Sequence, residues 1–203
     1  MLKTKIAVLV SGGGTNLQAL IDAQKSGIIT SGEIVTVIAD KPTAYALTRA
    51  ANAGIPTAVV CKKECAGQKD FEEKLLAKLK EAEVEMIILA GFMCILSADF
   101  TRKWENRIIN VHPSLIPSFC GEGFYGLHVH EAALGYGVKV TGATVHFVNE
   151  IPDGGKIILQ KAVSVTEGDT PEVLQKRVME EAEWKILPEA AEIVAAGIAA
   201  QTN

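Results

Sequence analysis

Asn110 and His112 are the residues best placed to do chemistry, because they alternate at the end of Arg107–Val111, a short apolar segment predicted to be a strand. Successive side chains of a strand point to opposite faces, so both polar groups are expected on one face. An asparagine amide donates hydrogen bonds to a developing oxyanion. A histidine does the same or carries a proton near neutral pH. Taken alone, a structural histidine beside a surface asparagine is the other interpretation.

Asp153 is a further candidate, in the sequence Ile-Pro-Asp-Gly-Gly at 151–155. Asp-Gly pairs are common in turns for conformational reasons, so this segment predicts a turn first and an acid–base role only with other groups beside it. We interpret His128, His130 and His146 as structural. A metal pair of His128 and His130 would need a third ligand that the sequence does not supply, so no metal site is predicted.

The segment Ser11–Asn16 joins a predicted strand to a predicted helix through three consecutive glycines. Glycines let the backbone approach a ligand closely, and the helix N-terminus offers free N–H groups to an anion. The segment lacks the third glycine of the dinucleotide fingerprint and the Gly-Lys-Ser/Thr of a nucleoside-triphosphate loop. A phosphate site is therefore predicted, with a tight turn that binds nothing as the alternative.

Alternating strands and helices must position these residues. The predicted strands are Lys5–Val10, Glu33–Ala39, Thr57–Val60, Glu85–Leu89, Arg107–Val111, Thr141–Val148 and Lys156–Val163. Helical spacing is predicted at 17–21, Ala44–Ala53, Lys69–Ala82 and from Pro171 to about Ala200. Strands that alternate with helices predict right-handed crossovers and a parallel sheet covered on both faces, which is an α/β, Rossmann-like fold.

The second half of the chain departs from this alternation. Pro113–Gly126 is glycine-rich without periodicity and is predicted to be a functional loop. The last two predicted strands form an antiparallel hairpin around the turn at 151–155, so the sheet is expected to be mixed. We expect one domain over 1–203, with a phosphate-binding half at 1–105 and a catalytic half at 106–203. Ligands of such sheets bind outside the carboxyl ends of the strands.

Composition excludes several classes. The chain has 203 residues, 48% of them hydrophobic, and a formal net charge of −4. This size predicts a single compact core, and the acidic balance argues against nucleic acid as a partner. No apolar window reaches the length of a membrane span, and no signal peptide is indicated. The cysteines show no paired metal-binding spacing, so free thiols in a reducing cytoplasm are expected. A monomer or a homodimer is expected.

Four segments, taken in order, resemble one known family. They are Ser-Gly-Gly-Gly-Thr-Asn-Leu-Gln at 11–18, Leu-Ala-Gly-Phe-Met at 89–93, Asn-Val-His-Pro-Ser-Leu-Ile-Pro at 110–117 and Asp-Gly-Gly at 153–155. Together they resemble the phosphoribosylglycinamide formyltransferases, and the resemblance runs essentially from end to end. The third segment with a later aspartate marks the wider formyltransferase superfamily. The first loop points to the ribonucleotide enzymes.

The resemblance implies transfer of a formyl group from 10-formyltetrahydrofolate to the amine of glycinamide ribonucleotide, in purine biosynthesis and without a metal. It implies catalysis by Asn110, His112 and Asp153, with His112 held protonated by the aspartate. It implies phosphate binding at Gly14, Thr15 and Asn16, and an acceptor contact from Glu183. The implied folate contacts are Gln68, Met93, Cys94, Ile95, Leu96, Asn110, Asn149, Glu150, Ile151, Pro152 and Asp153.

This sequence departs from the family pattern in places. Cys94 stands where arginine is common, and Gln68 stands where an arginine often assists the folate tail. The Ser118–Tyr125 loop is longer, and aligning Glu183 needs a one-residue insertion. These departures put the role of Gln68 in binding the glutamate tail in question.

Other functions fit parts of the sequence. The methionyl-tRNA formyltransferases resemble this core but add a basic C-terminal domain, for which the chain is too short and too acidic. Formyltetrahydrofolate deformylases normally carry an extra N-terminal domain, whereas the first core strand here is expected at Lys5. A sugar-amine formyltransferase, a formyltetrahydrofolate deformylase and a phosphate-binding module without catalysis stay open as alternatives.

Overall fold

The computed structural model describes residues 2–202, which form a three-layer α/β domain around a seven-stranded sheet. The strands are β1 (Thr4–Val10), β2 (Gly32–Ala39), β3 (Thr57–Val59), β4 (Met86–Leu89), β5 (Ile108–His112), β6 (Val140–Phe147) and β7 (Ile157–Ser164). The helices are α1 (Thr15–Ser26), α2 (Tyr45–Asn52), α3 (Gln68–Glu81), α4 (Ala98–Lys103), α5 (Leu127–Tyr136), α6 (Pro171–Val178) and α7 (Trp184–Thr202). The predicted α/β fold class is confirmed.

The strand order is β3-β2-β1-β4-β5-β6-β7. Strands β1 to β5 pair in parallel, whereas β6 pairs antiparallel with both β5 and β7. The predicted mixed sheet with an antiparallel hairpin is therefore confirmed. The chain order reverses between β1 and β4, and open α/β sheets bind ligands in the crevice at such a reversal.

The sheet is covered on both faces, which explains why β4 and residues 6–10 of β1 are apolar at every position. In β1, Ile6, Val8 and Val10 pack into one core cluster, whereas Ala7 and Leu9 pack into the other. The first cluster includes side chains from α1, α2, α6 and α7, and the second includes side chains from α3 and α4. Each large aliphatic side chain buried in this way stabilises the fold by roughly 1.5–3 kcal/mol.

The observed boundaries differ from the predicted ones mainly by one or two residues. Helix α4 was not predicted, because six residues are too few to show a helical period. The C-terminal helical region is interrupted by a π-helical turn at Met179–Glu183. A short 3₁₀ turn at Lys62–Glu64 precedes α3. The division into halves near residue 105 falls between α4 and β5 and stays a prediction.

Across residues 2–202, none of the helices has both the length and the apolarity that crossing a bilayer requires.

Candidate active site

The glycine loop leaves the end of β1 and turns directly into α1. Gly14 has φ +72°, and a Cβ added there would lie 2.6 Å from Cβ of Ala46, so neither its conformation nor its surroundings accept a side chain. Helix α1 then begins at Thr15 without a side-chain cap. Its first N–H groups are therefore left for an anion, which the helix dipole also favours.

Helix α2 holds this loop by its carbonyl groups. Arg49 Nε donates to the carbonyl of Gly13 at 2.8 Å, and Ala46 N donates to the carbonyl of Gly12 at 3.1 Å. Arg49 Nη1 also donates to Gln18 Oε1 at 3.2 Å. With its carbonyls directed at α2, the loop keeps N–H groups for the ligand side. No periodicity or motif in the sequence identifies Arg49 as part of this site.

Asn16 and Glu183 meet at the same end of the sheet. Asn16 Nδ2 donates to Glu183 Oε2 at 2.6 Å, and Glu183 is only 6% exposed. Burial raises the pKa of Glu183, although the hydrogen bond from Asn16 opposes that rise. Glu183 ends the π-helical turn, and a π turn accommodates one residue more than an α-helix. A turn of this kind can accommodate the one-residue insertion that the family resemblance implies.

The structure brings Asn110, His112 and Asp153 together. Both β5 side chains project from the same face, as their alternation predicts, and Asp153 reaches them from the hairpin turn with a φ of +56°. His112 Nδ1 lies 3.5 Å from Asp153 Oδ2. His112 is 5% exposed, so water is largely excluded from this pair.

His146, which the sequence predicts to be structural, lies against this group. It pairs with Asn110 across β5 and β6, and Asn110 Nδ2 lies 3.2 Å from its Nε2. The same Nε2 lies 3.6 Å from Asp153 Oδ1, while His146 Nδ1 donates to the carbonyl of Phe147 at 2.8 Å. Only the antiparallel register could have revealed it, because His146 is otherwise surrounded in sequence by apolar residues.

The 113–126 loop contacts the same residues. His112 Nε2 donates to the carbonyl of Phe119 at 2.8 Å, and Gly121 N donates to Asp153 Oδ2 at 2.8 Å. A carbonyl can only accept, so it fixes Nε2 as the protonated nitrogen of a neutral His112 ring. The unprotonated Nδ1 then faces the carboxylate of Asp153.

Burial and polar contacts together shift the pKa values of His112 and Asp153. It lowers the pKa of His112 below its usual 6.5, although the Phe119 carbonyl and Asp153 oppose that shift. Burial alone would raise the pKa of Asp153, but the contact with His146, the charge of a protonated His112 and the Gly121 N–H lower it on balance. These shifts favour a neutral imidazole beside a carboxylate at neutral pH. The protonated His112 that the resemblance implies stays a prediction.

An apolar cleft of about 120 Å³ opens beside these groups. It lies between the segment that follows β4 and the 148–153 turn. The residues that line it are Leu89, Phe92, Cys94, Ile95, Leu96, Asn110, His146, Val148, Asn149, Glu150, Ile151, Pro152 and Asp153. A flat ring with polar edges suits such a cleft, because apolar walls are combined with exposed backbone groups.

Most residues with an implied folate role line this cleft, but Met93 and Gln68 do not. Met93 N donates to Ser11 Oγ at 2.8 Å, which ties the segment after β4 to the glycine loop. Gln68 Nε2 lies 3.0 Å from the carbonyl of Ile95 and is directed at the protein itself. Cys94 Sγ donates to Asp40 Oδ2 at 3.4 Å, and burial, with that contact, raises the pKa of Cys94 to about 11.

The remaining histidines lie on α5. His128 is exposed and sits 3.0 Å from Glu131. His130 is fully buried, neither of its ring nitrogens has a hydrogen-bond partner among the described residues, and burial lowers its pKa to about 4. Among residues 2–202, no cluster of three or more histidine, cysteine, aspartate or glutamate side chains is arranged to hold a metal ion.

Comparison with known proteins places this geometry in context. Residues 4–191 match the family described as formyl transferase. The chain is 42% identical over 184 residues to the phosphoribosylglycinamide formyltransferase of Haemophilus influenzae, covering 91% of this chain and 84% of that protein.

A longer relative and a solved structure extend the comparison. The trifunctional purine biosynthetic protein adenosine-3 of Gallus gallus is 48% identical over 195 residues, and the match spans 96% of this chain but only 19% of that protein. The crystal structure of glycinamide ribonucleotide transformylase 1 from Symbiobacterium toebii superposes with a TM-score of 0.89 at 42% identity, covering 96% of this chain and 89% of that one.

Proposed function

The chain belongs to the formyl transferase family, and on that basis we propose that it transfers the formyl group of 10-formyltetrahydrofolate to the amine of glycinamide ribonucleotide, in purine biosynthesis. One observation carries the proposal: an anion-binding loop and a buried Asn–His–Asp group lie at the same edge of the sheet, on strands β1 and β5 with only β4 between them. Two strand spacings amount to about 10 Å. A ribose with its glycinamide arm spans such a distance.

The phosphate end of the substrate belongs at the glycine loop. The backbone at Gly14, Thr15 and Asn16 supplies the N–H groups, while Arg49 fixes the loop from behind and adds a positive charge. Glu183 lies beside Asn16 and is placed to contact the ribose or the amide of the acceptor. Burial raises the pKa of Glu183, which favours the protonated form that donates as well as accepts a hydrogen bond.

The folate belongs in the apolar cleft, whose walls suit a pterin ring and whose lining includes Asn110 and Asp153. Bound there, the co-substrate supplies an electrophilic formyl carbon next to the catalytic groups. The nitrogen of Asn110 carries two N–H bonds. One is directed at His146, and the other serves the formyl oxygen as negative charge develops on it.

His112 and Asp153 handle the proton. The attacking amine forms the new C–N bond and must lose a proton, and the nitrogen of the leaving tetrahydrofolate must gain one. The unprotonated His112 Nδ1 accepts that proton, directly or through a water, and Asp153 stabilises the resulting imidazolium from 3.5 Å. His112 then returns the proton to the leaving nitrogen. General acid–base catalysis of this kind contributes roughly 10²–10⁴-fold.

A spectroscopic assay of tetrahydrofolate release tests the proposal. It is run with glycinamide ribonucleotide, with a sugar amine and with no acceptor. Release that depends on the ribonucleotide is the expected result. Release without an acceptor would make the protein a deformylase, release with the sugar amine alone would change the acceptor, and no release in any arm would refute formyl transfer.

A further inference from the structure

We propose that Gln68 and Glu72, which lie on α3, are positioning residues of the folate cleft. They hold the backbone of residues 95–97 in place without contacting the co-substrate. This inference rests on the proposed function and assigns Gln68 a different role from that of the arginine that often stands at its position in the family. It starts from a buried carboxylate that the proposed reaction does not use.

Glu72 is that carboxylate, and both of its oxygens are engaged by one residue of the cleft segment. Ser97 N donates to Oε1 at 2.7 Å, and Ser97 Oγ donates to Oε2 at 2.6 Å. Burial alone would raise the pKa of Glu72, but these hydrogen bonds lower it on balance, so the group is ionised. Hydrogen bonds to a charged group are the strong ones, and a buried charge needs them.

Gln68 completes this arrangement one helical turn earlier. Its Nε2 donates to Glu72 Oε1 at 2.6 Å and to the carbonyl of Ile95 at 3.0 Å. A primary amide has two N–H bonds, so both are used within the protein. The oxygen that remains is an acceptor, which would not bind the carboxylates of a glutamate tail.

The other side of the same segment is held by the sheet edge. Met93 N donates to Ser11 Oγ, and Cys94 Sγ donates to Asp40. The backbone of 93–97 is therefore fixed from two directions where Cys94, Ile95 and Leu96 form a wall of the cleft. Loss of the α3 contacts should let this wall shift and weaken binding of the ring portion of the co-substrate.

Two variants test this, Gln68→Met and Glu72→Gln, with Glu73→Gln as the matched control. Glu73 is the neighbouring residue on α3, is exposed, and lies 3.9 Å from Lys69. Each protein is assayed with 10-formyltetrahydrofolate and with 10-formyltetrahydropteroate, which lacks the glutamate. Circular dichroism and the KM for the ribonucleotide report whether each variant is folded.

We expect KM to rise by the same factor for both co-substrates, about tenfold in Gln68→Met and about tenfold to a hundredfold in Glu72→Gln. The kcat and the ribonucleotide KM should stay unchanged, and the control should match the wild type. A rise in Gln68→Met that is confined to the glutamate-bearing form would make Gln68 a ligand of the tail and overturn the proposal. An unchanged KM for both forms would also overturn it.

Amide hydrogen exchange separates this inference from the function it rests on. Exchange at Ser97 N should be faster in Gln68→Met than in Glu73→Gln, whether or not the wild type transfers formyl groups. If the wild type shows no ribonucleotide-dependent turnover, the proposed function fails. If exchange at Ser97 is equal in the two variants, the positioning role fails.

Discussion

The glycine loop and the catalytic group lie at the same edge of the sheet but are built in different ways. The loop is one contiguous stretch of backbone whose conformation Gly14 and Arg49 hold, and we propose that it binds phosphate through its N–H groups. The catalytic group is made of side chains from β5, β6 and the hairpin turn, which meet only when the sheet has formed. Local sequence therefore encodes the first, whereas the second depends on strand register.

Substitutions in the two regions should also have different effects on the kinetics. A change in the loop should weaken binding of the ribonucleotide, because its contacts are made equally before and during the reaction. A change in the catalytic group should lower turnover, because charge and proton transfer arise only in the transition state.

Removal of the imidazole is the strongest way to expose this difference. His112→Ala should lower kcat by about 10²–10⁴-fold, because the proton acceptor beside Asp153 is lost. The dissociation constant of the ribonucleotide, measured by calorimetry, should stay nearly unchanged. His128→Ala is the matched control, since His128 is exposed on α5. Full turnover in His112→Ala would contradict the proposed proton transfer.

Gly14→Ala is the corresponding test of the glycine loop, where the main effect is expected on KM instead of kcat. Its φ of +72° and the 2.6 Å approach to Ala46 should distort the loop, so that the ribonucleotide KM rises about a hundredfold while kcat is largely kept. Gly27→Ala is the control, because Gly27 has φ +80° with nothing within 4 Å of an added Cβ. Both variants should lose stability, but an equal rise in KM would show that strain alone explains the effect.

Buried histidine near the catalytic group makes stability depend on pH. His130 has a pKa of about 4 when folded, below the ordinary 6.5, so the unfolded chain binds more protons as the pH falls between those values. The stabilisation is present above pH 6.5 and is lost progressively down to about pH 4. Between pH 7 and pH 5 the free energy of unfolding should fall by about 2 kcal/mol from this residue.

His130→Met should remove that part of the pH dependence, which urea denaturation at the two pH values measures. His112, whose pKa is also lowered by burial, should leave a smaller residual dependence in the same direction. A wild-type curve as flat as that of His130→Met would mean that His130 is solvated or paired in the folded protein.

The smallest expected effect concerns Arg49. Arg49→Met removes the donor to the Gly13 carbonyl and should raise the ribonucleotide KM about tenfold, with kcat and the folate KM unchanged. Arg49→Lys should recover part of the loss, because it keeps the charge but not the planar pair of donors. A decrease in kcat larger than the rise in KM would mean that the loop also affects the chemical step. The proposed separation between binding by the loop and reaction at the catalytic group would then be wrong.

The sequence predicted the parts that local patterns determine. Apolar strands alternating with helices indicated the α/β fold, and alternation in β5 put Asn110 and His112 on one face. The family resemblance added Asp153 to these residues, and the structure shows their proximity.

The remaining features of the candidate site depend on contacts between segments that are distant in sequence. His146 reaches Asn110 through antiparallel register, and Phe119 and Gly121 reach the catalytic residues through an aperiodic loop. The lowered pKa of His112 follows from burial, which the residue type alone does not reveal. The hydrogen bond from Gln68 to the carbonyl of Ile95 likewise depends on where α3 packs.

The most direct test compares glycinamide ribonucleotide with glycinamide riboside, the same amine without the phosphate, as acceptors for the wild-type protein. If the loop binds and the Asn–His–Asp group reacts, the riboside should be formylated with a kcat within a few-fold of that of the ribonucleotide but with a KM about a hundredfold higher. Equal KM values for the two acceptors, or no transfer to the ribonucleotide, would contradict that division of roles.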